Sequence, residues 1–448
     1  MGKEKKAQLD EPIYDAKVLG TPKMLVLGLQ HLFAMFGATV LVPILTGLSV
    51  SATLLFAGLA TLFMHLVTGK KVPVFLGSSF AFLGGYFAIA PNGEPEKLVY
   101  ACVGVACAGL LYLILALICK AFGSKNVMRF FPPVVTGPII IAIGLILAPS
   151  AINNCSTNWW IALVAIVVVI VCNIWGKGMI KIVPILMGVL VSYLVAALAG
   201  KVDFTGVKEA AWIGLPVKME NTVFSLFGAE NFNVGLLVSS IFMIVPIAFA
   251  TMMEHVGDIS AIGGAIERNL IEDPGLHRTL IGDGIGTSIA ALFGAPANTT
   301  YGENTGVLVL TKVYDPKVVR LAAIYAVVLS FCPKFAALIS AMPAATIGGV
   351  SIILYGMISA VGVRNMVENH TDFQKSRNVI VAAVILGLAL GVNFSDLGAI
   401  SFNIGNMTIA LSGLAVASIV GIILNAILPG KRDEYMPNEK NSGSLGKF

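Results

Sequence analysis

Apolar runs long enough to cross a lipid bilayer follow one another along almost the whole chain, parted by short polar breaks. A spanning helix needs roughly 20 predominantly apolar residues. On that measure the pattern predicts fourteen spans. Spans 1 to 7 cover residues 24–46, 50–69, 72–91, 98–119, 130–149, 158–176 and 180–200. Spans 8 to 14 cover 233–257, 276–294, 298–313, 318–341, 343–362, 377–394 and 405–428. A polar stretch at 201–231 separates the two sets. The fold class expected is an all-α membrane protein.

Two spans are irregular. Span 3 reads VPVFLGSSFAFLGG and span 10 reads GAPANTTYGENTGVLVL, both interrupted by Gly and Pro. After Asn304 only a short apolar piece remains. Each is expected to be an extended piece followed by a half-helix. Exposed backbone amides at that depth are tolerable only where they face a cavity or a ligand.

The halves echo each other. Gln30-His31 in span 1 recurs as Glu254-His255 in span 8, and Ser78-Ser79-Phe80 as Thr299-Thr300-Tyr301. Pro133-x-x-Thr136 recurs as Pro343-x-x-Thr346. The offsets are 224, 221 and 210 residues, in a common order. Seven spans per half is an odd number, so the second half crosses in the opposite sense. The result is a 7+7 inverted repeat, as in many secondary transporters, and paired broken spans mark a site near the midplane.

Composition and charge agree with a membrane setting. Of the 448 residues, 57% are hydrophobic and only 12% charged, against about 25% in a soluble protein. Mean hydropathy is +0.89. With the N-terminus inside, 24 of the 29 Lys and Arg fall on the cytoplasmic side, 4 outside, and Lys334 within a span. That bias obeys the positive-inside rule and expects both termini to be cytoplasmic. The net charge of +5 is thereby explained without nucleic acid as a partner. Residues 1–23 are hydrophilic and no cleavable signal peptide is expected. The six cysteines, at 102, 107, 119, 155, 172 and 332, have no metal-type spacing, so neither metal nor cofactor is expected.

Candidate chemistry gathers in spans 8 and 10. Glu254 and Asp258, four residues apart, share one helix face. Glu303 lies in broken span 10. An intramembrane carboxylate costs roughly 2.5–3.5 kcal/mol on insertion scales, so three of them need a reason. Solvation at the cytoplasmic end of span 8 is the bland explanation for Asp258. Carboxylates accept from ring N–H groups, while backbone amides near Phe80 and Gly302 donate to carbonyls. A planar ring with alternating C=O and N–H groups suits both. Phe80, Tyr301 and Tyr355 offer faces to stack on it or wall it, though core packing explains any one of them. Three close carboxylates in a low-dielectric site cannot all be ionised, and a shared proton belongs to the cluster. Asp258 is the favoured carrier, one turn from Glu254 and nearer the cytoplasm. His31 and His255 read as buried hydrogen-bonding struts, and His65 as packing. Asp283 sits in Gly282-Asp-Gly-Ile-Gly286, whose glycines suit a close helix contact better than a phosphate loop. Neither H-E-x-x-H nor G-x-S-x-G occurs, so no enzyme reading gathers support.

The motifs resemble one family. Glu303-Asn304-Thr-Gly306-Val-Leu-Val-Leu-Thr311-Lys312 is similar to the nucleobase–ascorbate transporter signature, and Gln30-His31 matches that family's span 1 motif. QHLFAMFGATVLVP (30–43), LGSSFAF (76–82), EHVGD (254–258), EDPGLHR (272–278) and NTTYGEN (298–304) resemble the family's bacterial uracil carriers, from about Leu25 to Leu428. The resemblance implies proton-coupled uracil uptake by alternating access, with a xanthine or mixed uracil–xanthine carrier as the alternative. It implies a core domain (24–120 and 233–342) and a gate domain (125–200 and 343–428), the latter often the dimer contact. It places Glu254 and Glu303 on the base with backbone at Phe80 and Gly302. Ala38 and Tyr301 would line the pocket, Tyr355 would approach from the gate, and Gln30, His31 and Asn304 would support it. Some uracil carriers have His where this chain has Asp258. A bacterial cytoplasmic membrane and a homodimer are the implied setting. Similarly folded carriers move inorganic anions, but an acidic site repels anions.

Overall fold

Where the apolar runs are longest, the chain coils into helices long and apolar enough to cross a bilayer. The computed structural model describes residues 11–227, 232–396, 398–404 and 407–429. Seven such helices are Thr21–Thr46, Val50–Val67, Pro95–Phe122, Pro133–Ser156, Val234–Ala265, Ala344–Glu368 and Ser376–Phe394. Leu276–Leu292, Trp159–Trp175, Pro184–Leu198 and Gly413–Ile427 are shorter. The terminal cations counted above (Lys3, Lys5, Lys6, Lys431, Arg432, Lys440 and Lys447) lie outside the described residues, as does Gly405 at the expected start of span 14.

Three spans depart from expectation. Span 8 does not stop at residue 257 but runs to Ala265, with a 3₁₀ break at Val245–Ile247. Pro246 removes an amide there and forces the adjustment. Asp258 therefore lies well inside the helix rather than past its end. Span 11 was expected to be continuous. It is two helices, Pro316–Ser330 and Pro333–Ser340, bent by 90°. Pro333 cannot donate to the preceding turn, and Cys332 before it is held out of the α region at φ −110° and ψ 87°. Span 14 is helical only from Gly413. A hairpin precedes it, here termed β3 (Ala399–Ile404) and β4 (Met407–Ser412).

The two irregular spans meet. Strand β1 (Leu76–Ser78) leads to the helix Leu83–Ile89, and β2 (Asn298–Thr300) to the helix Gly302–Thr311. The strands pair antiparallel, Leu76 opposite Thr300 and Ser78 opposite Asn298. Each strand's ladder groups are thus satisfied by its repeat mate, which solves the problem of extended backbone at membrane depth.

Small residues let the helices close on one another. Spans 5 and 12, also repeat mates, touch at Gly144, where a Cβ would stand 2.3 Å from the Tyr355 carbonyl oxygen. In span 9, Gly284 faces the Gly109 carbonyl of span 4, and Gly282 and Gly286 face Met64 and Ala60 of span 2. The glycines around Asp283 are close helix contacts on two sides.

Residues ahead of span 1 strap the ends of spans 8 and 10. The Ile13 amide donates to the Lys312 carbonyl at 2.8 Å, and the Tyr14 hydroxyl to that of Ile266 at 3.0 Å. Lys317 sits 2.8 Å from Asp15 and holds its carboxyl below the usual range.

Candidate functional site

The site is built on the paired strands. Gly77 in β1 lies under the Tyr301 ring, and a Cβ there would stand 2.4 Å from it. The Tyr301 amide donates to the Phe75 carbonyl at 3.0 Å, and its hydroxyl to the Ser78 carbonyl at 2.9 Å. The Ser78 hydroxyl donates to the Thr39 carbonyl at 2.9 Å, which fixes the turn of span 1 that carries buried Ala38. Phe80 follows β1 and meets Tyr355 of span 12 edge to face, with centroids 5.9 Å apart. Both rings are buried.

Beyond β2 the chain enters the helix Gly302–Thr311, with Glu303 in its first turn. A Cβ on Gly302 would meet nothing within 4 Å, so its backbone faces open space. The first amides of a helix have no intrahelical acceptor and carry a positive partial charge. Glu254 and Asp258 project from Ala248–Ala265, and each is partly buried, as is Glu303. Glu254 is within electrostatic reach of Asp258, Asp283 and Glu303. The Thr300 hydroxyl donates to Asp258 Oδ2 at 2.8 Å.

His31 and Asn304 lock span 1 to the half-helix of span 10. Asn304 Nδ2 lies 3.1 Å from both His31 Nδ1 and the His31 carbonyl. Both side chains are buried, and Gln30 beside them is partly so. His65 is more than packing: its Nε2 is 2.8 Å from the Val74 carbonyl, next to β1.

Sequence reasoning missed two contacts, Thr300 with Asp258 and Asp283 with His255. Asp283 is fully buried, with Oδ2 2.8 Å from His255 Nδ1. His255 Nε2 is 3.0 Å from Thr279 Oγ1, whose own proton goes to the Leu276 carbonyl. His255 therefore donates from Nε2 to the Thr279 hydroxyl. No local motif announces this pair. The repeat offered one hint, since His255 follows Glu254 as His31 follows Gln30.

Apolar helices around two crossed broken spans are the architecture of a membrane transporter. Residues 22–398 match the sequence profile of the xanthine and uracil permeases, described as the Permease family, and the chain belongs to that family, the nucleobase–ascorbate transporters. It is 40% identical to the uracil permease of Bacillus caldolyticus over 436 residues, covering 94% of this chain and 96% of that one. It is 38% identical to that of Bacillus subtilis (91% and 92% covered) and 37% identical to that of Escherichia coli (90% of each). The fold is similar to the transmembrane domain of the cyanobacterial bicarbonate transporter BicA, with TM-score 0.61 at 15% identity over 93% of this chain and 99% of that one. It is also similar to SLC26A9, with TM-score 0.60 at 13% identity over 92% and 66%. At such identity the likeness speaks for the inverted-repeat fold alone.

Proposed function

We propose that this permease takes up uracil across the bacterial cytoplasmic membrane in symport with protons, by alternating access. The observation that carries the reading is the gathering of Glu254, Asp258 and Glu303 around β2 and the open start of the helix at Gly302. Uracil presents two N–H donors and two carbonyls around one ring. Glu254 and Glu303 accept from the N–H groups, and the amides at Phe80 and Gly302 donate to the carbonyls. Tyr301 and Ala38 line the ring's place, and Tyr355 closes it from the other side. His31 and Asn304 hold span 1 against span 10, with Gln30 beside them.

Uracil is neutral near pH 7 and gains nothing from the membrane potential by itself. A proton carried with it supplies about 2.3 kcal/mol per 100 mV. Asp258 carries it, sharing the cluster with Glu254 and Glu303. No other cofactor is needed. In this reading spans 1–4 and 8–11 form the core domain. Spans 5–7 and 12–14 form the gate and join two copies as a homodimer. Both termini face the cytoplasm.

Xanthine offers a similar edge of alternating C=O and N–H groups. The Phe80–Tyr355 contact favours the single ring of uracil over the double ring. Uptake of radiolabelled uracil, xanthine and cytosine into proteoliposomes, with imposed pH gradients, tests the whole reading. Gradient-driven uracil accumulation is expected. Xanthine accumulation without uracil accumulation overturns the substrate.

A further inference from the structure

We propose that Thr300 is a positioning residue that ties the proton-carrying carboxylate of Asp258 to the strand presenting Tyr301 and Gly302. The inference rests on the proton-coupled reading above. Thr300 is buried, and its hydroxyl donates to Asp258 Oδ2 at 2.8 Å across 42 residues of chain. Among the described residues, no other side-chain hydrogen bond joins the helix Ala248–Ala265 to residues 298–311. The backbone of Thr300 is meanwhile held in the ladder opposite Leu76. The next residue, Tyr301, is pinned at its amide by Phe75 and at its hydroxyl by Ser78. A pull on the Thr300 side chain is therefore a pull on the start of the half-helix that carries Glu303.

The first repeat serves as an internal control. By the offsets of 224 and 221, Glu254, Asp258, Thr300 and Glu303 correspond to Gln30, Ala34, Ser79 and Phe82. None of the carboxylates has an acidic mate. Ser79, just past β1, keeps the hydroxyl, fully buried, with no hydrogen-bond partner for Oγ among the described residues. The Thr300–Asp258 bond thus exists only in the half that carries the acids.

The chemistry is a change of one acceptor. Ionised Asp258 takes a charge-assisted bond from Thr300, roughly twice as strong as a neutral one. When a proton arrives from the bulk on one side, it binds a carboxylate oxygen and that advantage is lost. When it leaves to the other side, the bond tightens again. No other covalent bond changes. The charged groups facing Asp258 are Glu254 on its own helix, Glu303 on the half-helix, and Asp283 on Leu276–Leu292 with its partner His255. All but His255 are acidic, so the Thr300 hydroxyl is the donor that answers to the state of Asp258.

The test compares wild type, Thr300→Val and Thr300→Ser in proteoliposomes. It reads the pH profile of gradient-driven uracil uptake and the ratio of accumulation to exchange. Valine keeps the shape and removes the donor. It is expected to move the profile by about one pH unit to the alkaline side and to lower the ratio about tenfold, while serine restores both. A wild-type profile and ratio in Thr300→Val overturns the inference. So does a Thr300→Ser variant that behaves like valine, since packing of the methyl would then be the cause. Absence of any pH response in the wild type removes proton coupling itself. A coupled wild type beside an unaffected Thr300→Val removes only the role of Thr300.

Discussion

Phe80 of span 3 meets Tyr355 of span 12 edge to face, 5.9 Å between centroids at an interplanar angle of 72°. The contact joins a residue leaving β1 to a helix packed against span 5. An aromatic pair contributes about 0.5–1.5 kcal/mol beyond its buried area. Tyr355→Ala is expected to weaken uracil binding roughly three- to tenfold. It should also make room for a second ring. Competition of labelled uracil uptake by unlabelled xanthine checks this, and xanthine should gain relative to uracil in the variant.

Gly77 is required by the ring above it. An added Cβ would stand 2.4 and 2.5 Å from Tyr301 ring atoms and 2.7 Å from Thr39 Oγ1. The ring cannot swing away while its hydroxyl is bonded to Ser78. Overpacking of this kind costs about 1–3 kcal/mol. Gly77→Ala is expected to lower the unfolding temperature in detergent and cut uptake more than tenfold. Gly306, where a Cβ meets nothing within 4 Å, should tolerate Ala far better.

His255 and Asp283 are both fully buried, 2.8 Å apart. Removing one partner of such a pair costs about 3–5 kcal/mol, because the other is left uncompensated. His255→Ala should therefore unfold at a clearly lower temperature. Asp283→Asn, which removes the charge instead of stranding it, should lose less. Thermal unfolding of the two purified variants separates these outcomes.

Much of this was legible in the residues, and the failures share a cause. The apolar runs and the Lys and Arg bias set the helices, and Gly and Pro in spans 3 and 10 marked the crossing strands. These are local signals. Span 8 was cut short because Gly257, Asp258, Gly263 and Gly264 dilute its hydropathy, although helix continues through them. The bend at Pro333 was hidden because the run stays apolar on both sides of it. Asp283 and Thr300 take their meaning from His255 and Asp258, 28 and 42 residues away. No periodicity carries such pairings. The N-terminal strap was equally illegible, since Ala16 donates to Asp315 across 299 residues.

The two glutamates are separable from the carrier. If Glu254 and Glu303 accept ring N–H groups, Gln in place of either offers a donor where an acceptor is needed. Losing a charge-assisted bond in a buried site costs roughly 1.5–3 kcal/mol, a ten- to hundredfold weakening. Calorimetry on Glu254→Gln and Glu303→Gln checks it, and unchanged uracil affinity in both removes them from the site. Cytosine, with an amine in place of one carbonyl, should bind poorly to the parent because it turns a donor toward a backbone N–H.

Asp258→Asn should part transport from its driving force. Glu254 lies within reach of Asp258, Asp283 and Glu303, and Asp258 within reach of Asp283 and Glu303, and like charges so close in a low-dielectric site cannot all be present at once. In the proposed mechanism a proton is held among them and moves as the site opens to one side and then the other. Asparagine keeps the size of Asp258 and still accepts from Thr300, so β2 and the half-helix retain their support. It cannot take up or release a proton. Uracil exchange between the two sides of a proteoliposome membrane needs no net proton movement and should persist in the variant. Accumulation against a concentration gradient needs that movement and should collapse to the level set by the uracil gradient alone. The decisive measurement is the ratio of the two in one preparation, with a pH gradient imposed and then dissipated by a protonophore. Wild type should lose accumulation only when the protonophore is added, and the variant should show none to lose. An Asp258→Asn protein that still concentrates uracil in response to the gradient would move the carrier to Glu254 or Glu303.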